Sequence, residues 1–229
     1  MCIRDSIGPV CKVCRREGVK LFLKGDRCFT KCPIDKGEAA LPPGQHARRR
    51  AGKPTEYSKR LREKQKARRL SGVLERQFRR YFSLASHAKG NTGENLLRLL
   101  EMRLDNVVRR LGFATSPKAA RQLVFHGHVQ VNGRRVDIPS YQTQVGDTVS
   151  LEDGLRENLF VKRSLENAVQ RGIPAWLEWD GSLPEAVRKS GESKTLESVP
   201  LAGKVKSWPR REEMSFPVNE QFIVELYSK

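Results

Sequence analysis

Residues 103–151 read RLDNVVRRLGFATSPKAARQLVFHGHVQVNGRRVDIPSYQTQVGDTVSL, and the order of helix, turn and hairpin signals in this stretch decides the fold. Leading into it, Leu97, Leu100, Leu104, Val107, Val108 and Leu111 recur at steps of three and four, while Arg98, Arg103, Arg109 and Arg110 fall largely off that stripe. This is the period of an amphipathic helix. Gly112 ends it, because the residue just past a helix is often left-handed and only glycine adopts that conformation without steric cost. Ser116-Pro117 opens a second helix: the hydroxyl can accept an orphan backbone N–H, and proline at the first position gives up no hydrogen bond. Lys118, Arg121 and Gln122 share one side of that helix, and Ala120, Leu123 and Val124 the other. Gly127 closes it. Val129–Val136 then predicts a hairpin, since Asn132-Gly133 supplies the two positive φ values of a type I′ turn. His126, His128, Arg134 and Arg135 should cluster beside the basic helix. Gly146-Asp147 marks a turn before a further strand, with Val149 and Leu151 on one face.

The charge outside this stretch is lopsided. The chain of 229 residues carries +18, and residues 46–80 alone hold 14 Lys and Arg against 3 Glu, or +11. So concentrated a field attracts a polyanion, and cations that neutralise phosphates release condensed counterions, which makes binding strong and salt-sensitive. At 38% hydrophobic the chain can build modest cores. It has no apolar run of about 18 residues to span a bilayer and no secretory leader, so a cytosolic protein without a membrane partner is expected. Met1–Ser6 reads as an adapter-derived scar rather than a native start, and Cys2 falls within it.

Cys11, Cys14, Cys28 and Cys32 form a C-x2-C and a C-x3-C pair separated by 13 residues. Four thiolates from two such knuckles can close a tetrahedron around zinc, and so short a segment has little apolar area to fold on otherwise. Disulfides and an iron-sulfur cluster are the competing uses of the four cysteines. Structural zinc is the expectation, with Arg15, Arg16 and Lys20 close enough to touch phosphate. His46, in a Pro-rich connector, is expected to be a loop residue rather than a ligand.

Arg48, Arg49, Arg50 and Lys53 lead into a helix from Tyr57 to Phe82, interrupted at Ser71-Gly72. On its first part Lys59, Arg60, Arg62, Lys64, Lys66, Arg68 and Arg69 lie all round, leaving no core-facing stripe. A helix of that kind is expected to need counter-charge from a partner. After Gly72, Val73, Leu74, Phe78, Tyr81 and Phe82 restore an apolar face beside basic Arg76, Arg79 and Arg80.

The helix, Gly-Phe-Ala-Thr-Ser turn, basic helix, His-Gly-His and Val-Asn-Gly-Arg hairpin of the opening stretch resembles the S-four RNA-binding domain. Leu41–His46, Leu61–Lys66, Gly72–Phe82, Arg171–Leu177 and Pro217–Lys229, in that order, resemble the bacterial S-four family of small-subunit ribosomal proteins in its zinc-knuckle-bearing form. The resemblance implies an α+β fold: a mostly helical N-terminal region with a zinc knuckle, then an S-four domain of two helices packed on a small antiparallel sheet. Expected boundaries are residues 7–45 for the knuckle, 46–102 for the basic helical region and 103–167 for the S-four domain. Residues 168–229 follow, with an insertion at 181–208 expected as a surface loop, a helix over Arg156–Ala168 and a closing strand over Val218–Leu226.

The resemblance further implies a primary binder of the 5′ domain of 16S ribosomal RNA that acts early in assembly. Its implied neighbours are small-subunit ribosomal protein five and other small-subunit proteins, at an interface that influences decoding accuracy near where messenger RNA enters. Asn132, Lys118, Arg121, Gln122, His126, His128, Arg134 and Arg135 are then RNA-facing candidates, with the basic residues of the knuckle and of residues 48–80. Two features depart from the family pattern: three residues instead of four between Cys28 and Cys32, and the long insertion.

Against catalysis, no nucleophile, base and stabiliser gather in the sequence, and neither a Walker loop nor a dinucleotide fingerprint is present. An RNA-modifying enzyme or a messenger-binding translational regulator using an S-four domain are the alternatives.

Overall fold

The computed structural model describes residues 9–35, 41–44, 53–155, 158–180, 201–214 and 217–228. Helices α1 (Val10–Glu17), α2 (Arg27–Thr30), α3 (Glu56–Leu70), α4 (Glu75–His87), α5 (Thr92–Glu101), α6 (Leu104–Arg110) and α7 (Pro117–Phe125) precede strands β1 (Val129–Val131), β2 (Arg134–Arg135) and β3 (Thr148–Leu151). Then come α8 (Leu159–Arg171), β4 (Leu177–Trp179), β5 (Ala202–Val205) and α9 (Glu220–Tyr227). The chain divides into two compact units, residues 1–97 with 216–229, and residues 98–215.

The second unit is built on an antiparallel five-stranded sheet of order β2-β1-β3-β5-β4. Val129, Val131, Val149, Leu151 and Val205 point from it into one core with Leu104, Val107, Val108, Leu111, Phe113 and Trp176. The α+β expectation is met. The sheet is larger than expected because part of the predicted insertion, Ala202–Val205, pairs with both β3 and β4; residues 181–200 lie outside the described residues. Alternation explains the strand: in Ala-Gly-Lys-Val the second and fourth residues are buried and the third is exposed, the period-two pattern of a half-buried sheet.

The single helix expected over 97–111 is broken at Met102-Arg103. The carbonyl of Met102 accepts both the backbone N–H and the hydroxyl of Thr143, each at 2.9 Å, and Leu104 N–H donates to the Tyr141 carbonyl at 2.9 Å. A tertiary strap has replaced the helical ladder there. Arg103, taken from its position as a surface residue, is turned inward with 2% exposure. Beyond the break Gly112 ends α6 as expected, at φ +87°, and a Cβ on it would overlap Ala168 of α8. The helix expected over Arg156–Ala168 runs instead over Leu159–Arg171, capped by the Asn158 side chain, which accepts the Phe160 N–H at 2.9 Å.

In the first unit α3 packs along α9, where a closing strand was expected. Asn219 caps that helix by accepting the Gln221 N–H at 3.1 Å, and Ile223 is fully buried. The apolar spacing of Phe222, Ile223 and Leu226 suits helix as well as strand, so tertiary packing decides. The α3 helix is not charged all round either: Lys64, Ala67 and Leu70 are buried. Ser71-Gly72 interrupts it as expected, and α4 buries Phe78, Tyr81 and Ala85.

Candidate nucleic-acid interface

The face predicted around α7 is assembled by local chemistry. The Ser116 hydroxyl accepts the Ala119 N–H at 3.3 Å, and Pro117 takes the first helical position. At the other end Gly127 N–H donates to the Val124 carbonyl at 2.9 Å, and His128 N–H donates to that of Leu123 at 3.1 Å. This is the paired closure that a left-handed residue permits. Ala120 and Val124 are buried, while Lys118 and Gln122 are exposed and Arg121 half-buried. The helix therefore offers its cationic side outward, as the sequence suggested.

The hairpin sits against the end of that helix. Asn132 and Gly133 have φ of +51° and +74°, the turn expected, and Gln130 and Val131 pair with Arg135 and Arg134. The Arg135 guanidinium crosses Gly127, where any Cβ would overlap it, and its Nη2 donates to the His126 carbonyl at 3.2 Å. The His128 ring makes a 3.0 Å contact from Nδ1 to the Glu152 carboxylate. Asn132 is committed internally: its amide donates to Asp147 at 2.8 Å, and its side-chain oxygen accepts the Thr148 N–H at 2.9 Å. The sequence marked it as a turn residue, and its side chain locks that turn to β3.

One organiser escaped the sequence reading. Asp105, buried in α6, accepts from Arg103 Nε at 3.0 Å and Nη2 at 2.6 Å. Its Oδ2 also lies 3.7 Å from Arg121 Nη1. A buried carboxylate thus joins the inward Arg103 to the outward Arg121, tying α6 to α7. Asp105 falls beside the apolar stripe, where periodicity alone assigns a surface residue.

The basic helix of the other unit is held by acids that the chain supplies itself. Glu17, its side chain fully enclosed at the end of α1, pairs with Arg69 and, at 3.3 Å, with Arg62. Arg60 meets Glu225 of α9 at 2.7 Å, Lys59 meets Glu56 at 2.6 Å, and Lys66 pairs with Glu63. Glu75 collects Lys64 at 2.8 Å and Arg68 and Arg79 at 3.6 Å each. It also accepts the Tyr227 hydroxyl at 2.8 Å. The helix therefore finds counter-charge without a partner. Lys53, Arg76, Arg79 and Arg80 are exposed, whereas Arg48, Arg49 and Arg50 lie outside the described residues, as do His46 and Met1–Ser6.

Cys11, Cys14, Cys28 and Cys32 open on one small depression with Val10, Leu23, Pro33 and Ile34. None is in a disulfide. The Lys24 N–H donates to Cys28 Sγ at 3.3 Å. Burial pushes the Cys14 thiol up, against a backbone hydrogen bond to Leu21, and the other three cysteines add to the rise. Four soft sulfur donors on one concavity have the chemistry zinc takes. Among the described residues, however, no three His, Cys, Asp or Glu side chains are gathered in a metal-holding group. Arg15 and Lys20 are half-buried nearby and Arg16 is exposed, Lys20 being paired with Asp35 at 2.7 Å.

Comparison with known proteins accounts for both units. The family model described as the ribosomal protein S4/S9 N-terminal domain matches residues 6–101, and the S4 domain model matches residues 102–149. Small ribosomal subunit protein uS4A of Symbiobacterium thermophilum is 54% identical over 223 residues, covering 97% of this chain and 98% of that protein. Small ribosomal subunit protein uS4 of Acidithiobacillus ferrooxidans and that of Geobacter sp. strain M21 are each 52% identical over the same shares.

The chain belongs to the uS4 family of ribosomal proteins.

It is accordingly a structural protein of the small ribosomal subunit and not an enzyme, cytoplasmic as its bacterial relatives are. Among the described residues no helix is long and apolar enough to cross a membrane.

Proposed function

We propose that the chain is a primary binder of the 5′ domain of 16S ribosomal RNA, holding several RNA helices at fixed relative angles early in subunit assembly. The observation that carries this reading is the cationic side of α7, capped at both ends and flanked by Arg134 and Arg135 of the hairpin. Side chains projecting from two rigid elements meet phosphates on different strands, which selects RNA by shape more than by base sequence. Exposed Arg76, Arg79 and Arg80 on α4 offer a second set of cations. The four cysteines bind structural zinc in this reading, which supplies the small knuckle with a centre its apolar residues cannot. Ribosomal protein five is the proposed protein neighbour, and the two together influence decoding accuracy.

A salt series with a transcript of the 5′ domain tests the reading, with transfer RNA and duplex DNA as competitors. Tight binding that survives competition and weakens steeply with salt is expected. Replacing Lys118 and Arg121 by Ala should lower affinity and flatten the salt slope by somewhat under about two units, at roughly 0.9 per lost contact. Equal affinity for all three nucleic acids would reduce the chain to a generic polyanion binder.

A further inference from the structure

Phe125 ends α7 with 54% of its surface exposed. Its ring centroid lies 6.3 Å from that of His126, and the His126 centroid lies 6.2 Å from that of His128. Three rings therefore neighbour one another on a single loop, their planes tilted by 57° and 46°. The Arg135 guanidinium, a fourth planar group, is held on the same loop by its bond to the His126 carbonyl and lies over the buried Gly127, where a Cβ would displace it. The contact from His128 to Glu152 restrains that ring.

A lone exposed phenylalanine is ordinary on a protein surface. One beside two imidazoles, on a loop that also carries a guanidinium, is not, because aromatic faces and arginine planes are the groups on which splayed-out bases stack. The cationic rim of Lys118, Arg121 and Arg134 favours a nucleic acid over an apolar protein surface as the occupant. We propose that Phe125, His126, His128 and Arg135 form a stacking platform for an unpaired nucleobase of the bound RNA. The proposal rests on the reading that α7 and the hairpin face RNA, and it adds a base contact where that reading has phosphates. Stacking tolerates any base, since each has a π-face, so the platform selects an unpaired nucleotide at a given place in the RNA fold rather than a sequence.

The test uses the full chain and the 5′-domain transcript, comparing Phe125→Ser, Phe125→Trp and the Lys118→Ala/Arg121→Ala double variant across a salt series. Phe125 is exposed, so its substitutions leave the fold intact, which circular dichroism checks. Phe125→Ser should weaken binding by about fivefold to a hundredfold with an unchanged salt slope, because no phosphate contact is lost. Phe125→Trp should retain the parent affinity. Parental affinity in Phe125→Ser, alongside weakened binding by the double variant, overturns the platform and leaves phosphate reading in place. Parental affinity and slope in the double variant as well would overturn the assignment of the whole face to RNA.

Discussion

At the residue scale, side chains that the sequence pattern assigned to the surface hold the second unit together. Arg103 and Asp105 are buried as a bidentate pair, and breaking such a pair leaves one charge stranded in a medium that solvates it poorly. Asp105→Ala should therefore cost about 3 kcal/mol or more of stability, read from the urea midpoint at unchanged slope. Because Asp105 also stands by Arg121, the same substitution should weaken RNA binding at protein concentrations where the fold survives. Gly127 is the second such position. Alanine there meets both a positive φ and the Arg135 guanidinium, so Gly127→Ala should destabilise by about 1–2 kcal/mol and displace Arg135 from the loop. Gly127 was legible as a helix stop from its place in the chain. Asp105 was not, since its partners come from a reversal of Arg103 that only the strap at Thr143 explains.

At the scale of elements, α3 shows where charge patterning reaches its limit. Counting Lys and Arg along residues 59–69 correctly located a basic helix. Glu56 and Glu63 neutralise it from within the helix, but Glu17 from α1 and Glu225 from α9 lie too far along the chain for any local rule to find. The same distance effect turned the expected closing strand into α9. The turn chemistry of α7 and its hairpin, by contrast, was fully readable, because Ser116, Pro117, Gly127, Asn132 and Gly133 act on their immediate neighbours. Glu75 joins α3, α4 and α9. Burial alone would raise its pKa, but hydrogen bonds from Lys64 and Tyr227 and the charges of Lys64 and Arg68 outweigh it. The carboxyl is thereby held below its ordinary value of 4.5. Burial, and then the bond to Glu75, raise the Tyr227 phenol in turn. A carboxylate with a depressed native pKa stabilises fully above its unfolded pKa, and that stabilisation is lost as pH falls through the native value. Unfolding of the first unit followed between pH 7 and pH 2 should therefore show stability falling from about pH 5 downward. Glu75→Gln should be weaker at neutral pH and flatter across that acid range.

At the scale of the whole molecule, two units with separate cores imply separable stabilities. The second is closed by its own sheet and uses no cysteine, since the described thiols all belong to the first. Chelation of purified protein should release zinc and unfold residues 9–35, seen as rapid hydrogen exchange there, while β1–β3 and α7 stay protected. Absence of tightly bound metal would remove zinc from the proposed function. The first unit is discontinuous in sequence. It takes in residues from both sides of the second, and 152 positions separate Tyr227 from the Glu75 it bonds. During synthesis the second unit, continuous in sequence, can fold as soon as it emerges. The α3 helix waits for α9, which packs along it and supplies Glu225 to Arg60 and the Tyr227 hydroxyl to Glu75. A polypeptide halted near residue 215 would hold a finished sheet domain while α3 and α4 still lacked Glu225 and Tyr227, and only a chain read through Tyr227 completes the first unit.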